Sequence, residues 1–383
     1  MYYPLLLFFV VNLLFYSWIG VFHSAVPFNR YQYHTSANHY IQDPRADGKS
    51  FSLINALGQY DSQWYLKIAD TGYPDHPPFV FKENIKVMDG LLYNFFPLFP
   101  LSIVVVNFLI HNVQLSAFIV NNLILLAIVY SLYYVVSIWF SKKAAFRTIL
   151  LIMLFPFSVF LRGYYSESLR LLLFIWFCYG LTQKKYLVSA ISVGLLCITS
   201  GISLLLLPFY YGVLLGNRKK ISVQKIFLYA IAAVIPFILW MVFCYVRTGD
   251  PFIFVATRAA WQRPSGFALF YNIRLILDFP WLPIFSFYGS RMDVLLILLT
   301  ICITFLSKSI LPKVVWLATI VFAFTPLLVQ DSVSFARFSS VFFPFFVYLA
   351  VALNKKYYVL LVCLFSIGLL VSSVYFINWY WIE

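Results

Sequence analysis

Asp61 opens the stretch Asp61-Ser-Gln-Trp-Tyr-Leu-Lys-Ile-Ala-Asp70, whose spacing predicts a short helix. An acid stands at its start, Trp64, Tyr65 and Ile68 share one face, and Gly72 supplies the stop. An acid in that position has two uses: it can cap the helix by accepting a backbone N–H, or it can take the proton of an attacking hydroxyl. The second use needs positive or hydrogen-bonding groups where a leaving group departs. Three arginines offer that: Arg258 and Arg263 in Thr257-Arg-Ala-Ala-Trp-Gln-Arg-Pro264, and Arg337, just ahead of a helix expected to begin near Ser339. A planar guanidinium gives a phosphate two parallel hydrogen bonds. Attack of a hydroxyl on a sugar C1 carrying phosphate is therefore the chemistry this set fits, with Asp61 as base. Each arginine also has a bland reading, a side chain snorkelling to headgroups. Arg337 is favoured because N–H groups at a helix start would add to anion binding.

Glu167, in Arg162-Gly-Tyr-Tyr-Ser-Glu-Ser168, is the sole acid between Asp89 and Asp250. An ionisable group at the end of an apolar segment is a functional candidate. It can hold sugar hydroxyls, or pair structurally with Arg162 or Arg170. No Gly-rich phosphate loop, Cys or His metal cluster, or Gly-x-Ser-x-Gly turn is present, so a sugar nucleotide is not expected as direct donor.

The elements that must carry these residues are apolar. Of 383 residues, 63% are hydrophobic and 10% charged, against roughly a quarter charged in soluble chains. Stretches of the ~20 apolar residues that a spanning helix needs recur from Leu5 to Phe22, across Leu98 to Phe140, and onward to the C-terminus. The first lacks a basic flank and a small-residue cleavage site and reads as a retained helix. The tyrosines and tryptophans suit interfacial belts. The five cysteines lie singly in apolar segments with no metal-type spacing.

A net charge of +14 is dispersed rather than gathered on one face, which excludes a nucleic-acid partner. The basic clusters (Lys142, Lys143 and Arg147; Lys184 and Lys185; Arg218 to Lys225; Lys308 and Lys313; Lys355 and Lys356) fall between apolar segments and mark cytoplasmic loops. Membrane lipids are the constant partner. Asp61, Glu167, Arg258 and Arg337 are then expected on the opposite face.

The expected architecture is an all-α, polytopic single domain over 1–383, with about eleven transmembrane helices: a first helix at 1–22, an external loop at 23–97, and the remaining helices at 98–383. Seven of the 13 acids and four of the five histidines lie between His23 and Pro97, a loop too rich in apolar residues for disorder. It is expected to carry short interfacial helices. His111, Asn112, Gln114, Asn121 and Asn122 interrupt Leu98 to Phe140, which predicts three short passes there, or one pass and a re-entrant piece. Gly201 predicts a break within Tyr186 to Gly216.

Asp61-Ser-Gln-Trp-Tyr-Leu-Lys-Ile-Ala-Asp-Thr-Gly-Tyr73, then Phe96-Pro-Leu-Phe-Pro100 and Tyr165-Ser-Glu-Ser-Leu169, resemble the PIG-V mannosyltransferases of the GT-C superfamily. Gly249-Asp-Pro251, Trp261-Gln262, and Arg337 ahead of Phe343-Pro344 extend the likeness. Thr199-Ser-Gly201 departs from it, because the family tends to place an Arg shortly before the Gly. The resemblance implies an inverting enzyme that takes mannose from a polyprenyl or dolichyl phosphate, with Asp61 as base, no required metal, and Asp61 facing the lumen or cell exterior. Arg337, Arg258 and Gln262 are then expected at the donor phosphate, and Trp64, Tyr65, Tyr165 and Glu167 at the substrates. The partners implied are a lipid-linked sugar donor and a glycan or glycolipid acceptor. A lipid-linked sugar flippase is the rival reading. It would place ionisable residues within helices near the midplane, whereas the acids here collect in one loop.

Overall fold

The computed structural model describes residues 2–36, 39–75, 89–257, 268–286, 289–329 and 334–382. The described residues are helical throughout, without strands. Helix α1 (Tyr2–Phe22) leads into the polar loop, which carries α2 (Arg30–Thr35), α3 (Leu53–Ala56) and α4 (Ser62–Thr71). Then follow α5 (Leu98–Ile110), α6 (Val113–Trp139), α7 (Lys142–Leu154), α8 (Glu167–Thr182), α9 (Tyr186–Cys197), α10 (Leu206–Gly216) and α11 (Val223–Thr248). Short helices α12 (Ile253–Ala256) and α13 (Leu269–Leu277) precede α14 (Arg291–Ser307), α15 (Lys313–Val329), α16 (Phe335–Ser339), α17 (Phe343–Ala352) and α18 (Lys355–Ile377). Four of them, α1, α6, α11 and α18, are long and apolar enough to cross a membrane. This is a membrane protein.

Side-chain caps start the long helices where the sequence changes from polar to apolar. Asn112 accepts from Leu115 N–H, Ser141 from Ala144 N–H and Asn354 from Tyr357 N–H, each within 3.1 Å, satisfying donors that a helix start otherwise leaves orphaned. Between Leu98 and Phe140 the chain forms two helices rather than three, the 13-residue α5 and the 27-residue α6. The chain turns once, at His111 in the left-handed region (φ +52°) and the capping Asn112. Asn121 and Asn122 do not interrupt α6, because their amides find partners on neighbouring segments or one turn back in the helix. Asn121 bonds to Leu161 O, Gly163 O and Ser168 Oγ, and Asn122 to Tyr16 and Phe118 O. The break expected at Gly201 is present: a 3₁₀ turn at Gly201–Leu205 separates α9 from α10.

Two apolar clusters hold the fold. The larger runs through α1, α6 to α10 and α14 to α18. The smaller lies beneath α4, where Trp64, Tyr65, Leu66 and Ile68 meet Phe95, Phe99, Tyr164 and Trp240. Burying one such side chain stabilises by about 1.5–3 kcal/mol, so the polar loop is anchored by this helix face. Its entrance is tied separately: Arg45 donates to Asp43, to Asn378 Oδ1 (2.7 Å) and to Ile377 O (2.5 Å), joining the loop to the end of α18.

Candidate active site

Asp61 heads α4 as the spacing predicts, and Gly72 closes it with φ +78°. Its carboxylate makes no capping bond. It turns away from the helix and meets Arg337, with Nη1 2.6 Å from Oδ2. The residue before it sets this direction: Tyr60 has φ +48°, which costs a side-chain-bearing residue about 1–3 kcal/mol. Its ring is held against Phe376, Trp379 and Trp381. Behind the acid, the Gln63 amide donates to Gly58 O, and its Oε1 accepts from Ile41 N–H at 2.7 Å.

Arg337 comes from the far end of the chain. It does not stand ahead of a helix, as the spacing suggests, but within the five-residue α16. The helix start expected just after it is therefore not present at that position. The chain reaches α16 through Ser334, which has φ +67°. From there Nε of Arg337 lies 3.1 Å from Oε1 of Glu167, and its guanidinium sits over the rings of Tyr165 (5.4 Å) and Phe338 (5.3 Å).

Glu167 begins α8 and is 3% exposed. It also pairs with Arg170, one turn on, at 3.6 Å. Arg162, the other partner considered for it, is elsewhere: its guanidinium binds Asn12 Oδ1, Ser158 and Met153 O, over the ring of Phe15. Asp61, Arg337, Glu167 and Arg170 thus form a chain of alternating charge, two negative and two positive. A buried charge is costly unless paired, and alternation meets that condition. Among the described residues, Nε and Nη2 of Arg170 have no hydrogen-bond partner. The rings of Phe322 and Phe338 flank that guanidinium.

The loops that bring Asp61 and Glu167 together are zipped by tyrosines. Tyr164 donates to Ile54 O (2.7 Å), Tyr165 to Gln59 O (3.0 Å), and Tyr65 to Ser166 Oγ (2.9 Å). Burial first, and then the Glu167 carboxylate, push the Tyr65 phenol above its ordinary range, so it stays a donor. Trp64 is 1% exposed and stacks on Phe95. Trp64, Tyr65 and Tyr165 are all buried, packed behind the acid. Arg258, Gln262 and Arg263 lie outside the described residues. Asn121, which the sequence marks only as an interruption, and Asp293 hold the Glu167 loop and the Arg337 helix. The bonds that do so reach 40 or more residues along the chain, where no local pattern marks them.

The comparisons with known proteins give the class, that of membrane glycosyltransferases. More narrowly, the chain belongs to the mannosyltransferase (PIG-V) family, whose model matches residues 5–255. That range contains Asp61 and Glu167 and ends before Arg337. No curated protein matches the sequence. Among solved structures, the archaeal oligosaccharyltransferase AglB from Archaeoglobus fulgidus, in complex with an inhibitory peptide and a dolichol-phosphate, aligns with 98% of this chain and 55% of its own, at 11% identity and TM-score 0.45. The chain thus spans about half the length of that protein.

Proposed function

We propose that this protein is an inverting mannosyltransferase that uses a lipid-phosphate mannose donor, polyprenyl or dolichyl, at the non-cytoplasmic face of a membrane it crosses many times. One observation carries the reading: an acid from the polar loop and an arginine from the far end of the sequence meet at 2.6 Å, with the acid 28% exposed. Family membership supports the sugar, and favours a transferase over a flippase. The apolar helices support a lipid carrier for it.

In the reaction the acceptor oxygen attacks C1 of the mannose and forms the new glycosidic bond. The bond from C1 to the phosphate oxygen breaks, and the lipid phosphate leaves with the electron pair. Asp61 accepts the proton of the attacking hydroxyl. Arg337 faces the developing phosphate charge, where a guanidinium fork is better suited than an ammonium. Before the donor arrives Arg337 neutralises Asp61. A phosphate that draws the guanidinium toward itself frees the base only when the donor is in place. Glu167, behind Arg337 and tied to Arg170, keeps the guanidinium from leaving the site. Arg258 and Gln262 are assigned to the same phosphate on the family resemblance.

Incubating the purified protein with labelled polyprenyl-phosphate mannose and a membrane glycolipid extract tests the donor. Label should move to a glycolipid with inverted anomeric configuration, without added sugar nucleotide. Transfer from a sugar nucleotide but not from the lipid phosphate would overturn the reading. Orientation is tested in a background with Cys302 and Cys363, the two exposed cysteines, replaced by Ser. An impermeant thiol reagent on intact cells should label Ser50→Cys and spare Lys219→Cys. The reverse pattern would put the site on the wrong face.

A further inference from the structure

Asp293 lies 43 residues before Ala336 in sequence and is completely buried. It occupies the first turn of α14, whose N-cap is Ser290. In an ordinary capping box the acid of the first turn reaches back to the backbone N–H of the cap residue. Here the cap is made differently. Ser290 Oγ accepts from the Asp293 backbone N–H (3.0 Å) and donates to its Oδ2 (2.7 Å). That leaves Oδ1 for a distant partner, the backbone N–H of Ala336 at 3.0 Å.

Ala336 is the residue before Arg337. Helix α16, which carries both, is five residues long, and Ser334 gives it no side-chain cap. A helix that short cannot hold itself: its first N–H groups have no intrahelical acceptors, and nucleation of an isolated turn is unfavourable. Its position is set from outside, by the burial of Phe335 and Ala336 and by this bond to a carboxylate. Hydrogen bonds to an ionised acceptor are roughly twice as strong as neutral ones.

We infer that Asp293 is the positioning residue of the site: through Ala336 it sets the place of Arg337 relative to Asp61, and so the fit of the donor phosphate. It touches no substrate. This rests on the reading of Arg337 given above.

The test is a double-mutant cycle with polyprenyl-phosphate mannose as variable substrate, using Asp293→Ala, Arg337→Ala and the pair. Asp293→Ala should lower kcat/KM for the donor roughly tenfold, the scale of one such bond, in the presence of Arg337, and leave it unchanged when Arg337 is already Ala. Asp293→Asn, which keeps an oxygen toward Ala336 N–H, should restore most of it. Ser290→Ala weakens the cap of α14 but leaves that acceptor, so it should lower thermal stability while sparing donor kinetics. If Asp293→Ala is not recovered folded, Asp293→Ser, too short to reach Ala336, enters the same cycle with the same expected result. Equal losses in both backgrounds, or a Ser290→Ala loss as large as that of Asp293→Ala, would overturn the positioning role alone. Wild-type kinetics for Arg337→Ala would overturn both this role and the reading of Arg337.

Discussion

Two aspartates of the same polar loop, Asp43 and Asp61, each face an arginine, and they are used differently. Asp43 is 4% exposed and saturated. Its Oδ1 accepts from Arg45 N–H and Nε at 3.0 Å, and its Oδ2 from Arg45 Nη2 at 2.8 Å and Trp379 Nε1 at 3.3 Å. Its arginine is only two positions away and is spent in turn on Asn378, Ile377 and the rings of Phe28 and Phe51. The Asp61 carboxylate has one described partner, Arg337, through Oδ2, and makes no capping bond to its own helix. The difference teaches how to tell a structural acid from a reactive one. Where every lone pair is met by a short-range donor, the carboxylate is part of the frame. Where one oxygen is left over and the single partner is a cation that a phosphate can attract, the carboxylate is available for chemistry.

The largest effect that would break this contrast is on stability. Asp43→Asn leaves Arg45 buried without its counter-charge, and removal of one member of a buried pair costs about 3–5 kcal/mol. Thermal unfolding in detergent should show a large fall in midpoint, while the fraction that stays folded transfers sugar at the wild-type rate. A folded but inactive Asp43→Asn protein would move the chemistry to the wrong acid. Next comes Arg337→Lys, which keeps charge but loses the fork. A charged hydrogen bond is worth ~1.5–3 kcal/mol, so kcat/KM for the lipid-phosphate donor should fall by roughly ten- to a hundredfold. Donor kinetics near wild type in both Arg337→Lys and Arg337→Ala would remove Arg337 from the site. The smallest effect sharpens the contrast: Asp61 caps nothing, and Arg337 keeps Glu167 as a counter-charge when Asp61 is neutralised, so Asp61→Asn should cost clearly less stability than the ~3–5 kcal/mol of Asp43→Asn. A loss as large as that of Asp43→Asn would make Asp61 part of the frame.

Local pattern made the α4 helix legible. Asp61, the apolar face of Trp64, Tyr65 and Ile68, and the stop at Gly72 all stand within twelve residues and appear as read. That Glu167 would pair with Arg170 was one of two readings, and Arg162 differs from it only in three dimensions, where Asn12 and Ser158 claim it. Long-range partners were not legible. Topology put Asp61 and Arg337 on one face, but no local pattern pairs them across 276 positions, or Asp293 with Ala336. The same limit hid the role of Asn121, which looks like an interruption until its amide is seen holding Leu161 and Gly163. Polar residues within apolar stretches have two fates, turn or tertiary tie, and the choice is made by what packs alongside.

The central claim is that Asp61 is the base, and turnover of Asp61→Asn, measured with donor affinity on the same purified protein, tests it most directly. Asn matches the size of Asp and preserves much of its hydrogen bonding, but it cannot take the hydroxyl proton. The account predicts a loss of about a hundredfold or more in transfer from polyprenyl-phosphate mannose, the usual scale for positioned proton transfer, with donor still bound. An Asp61→Asn protein that transfers mannose at close to the wild-type rate would contradict it.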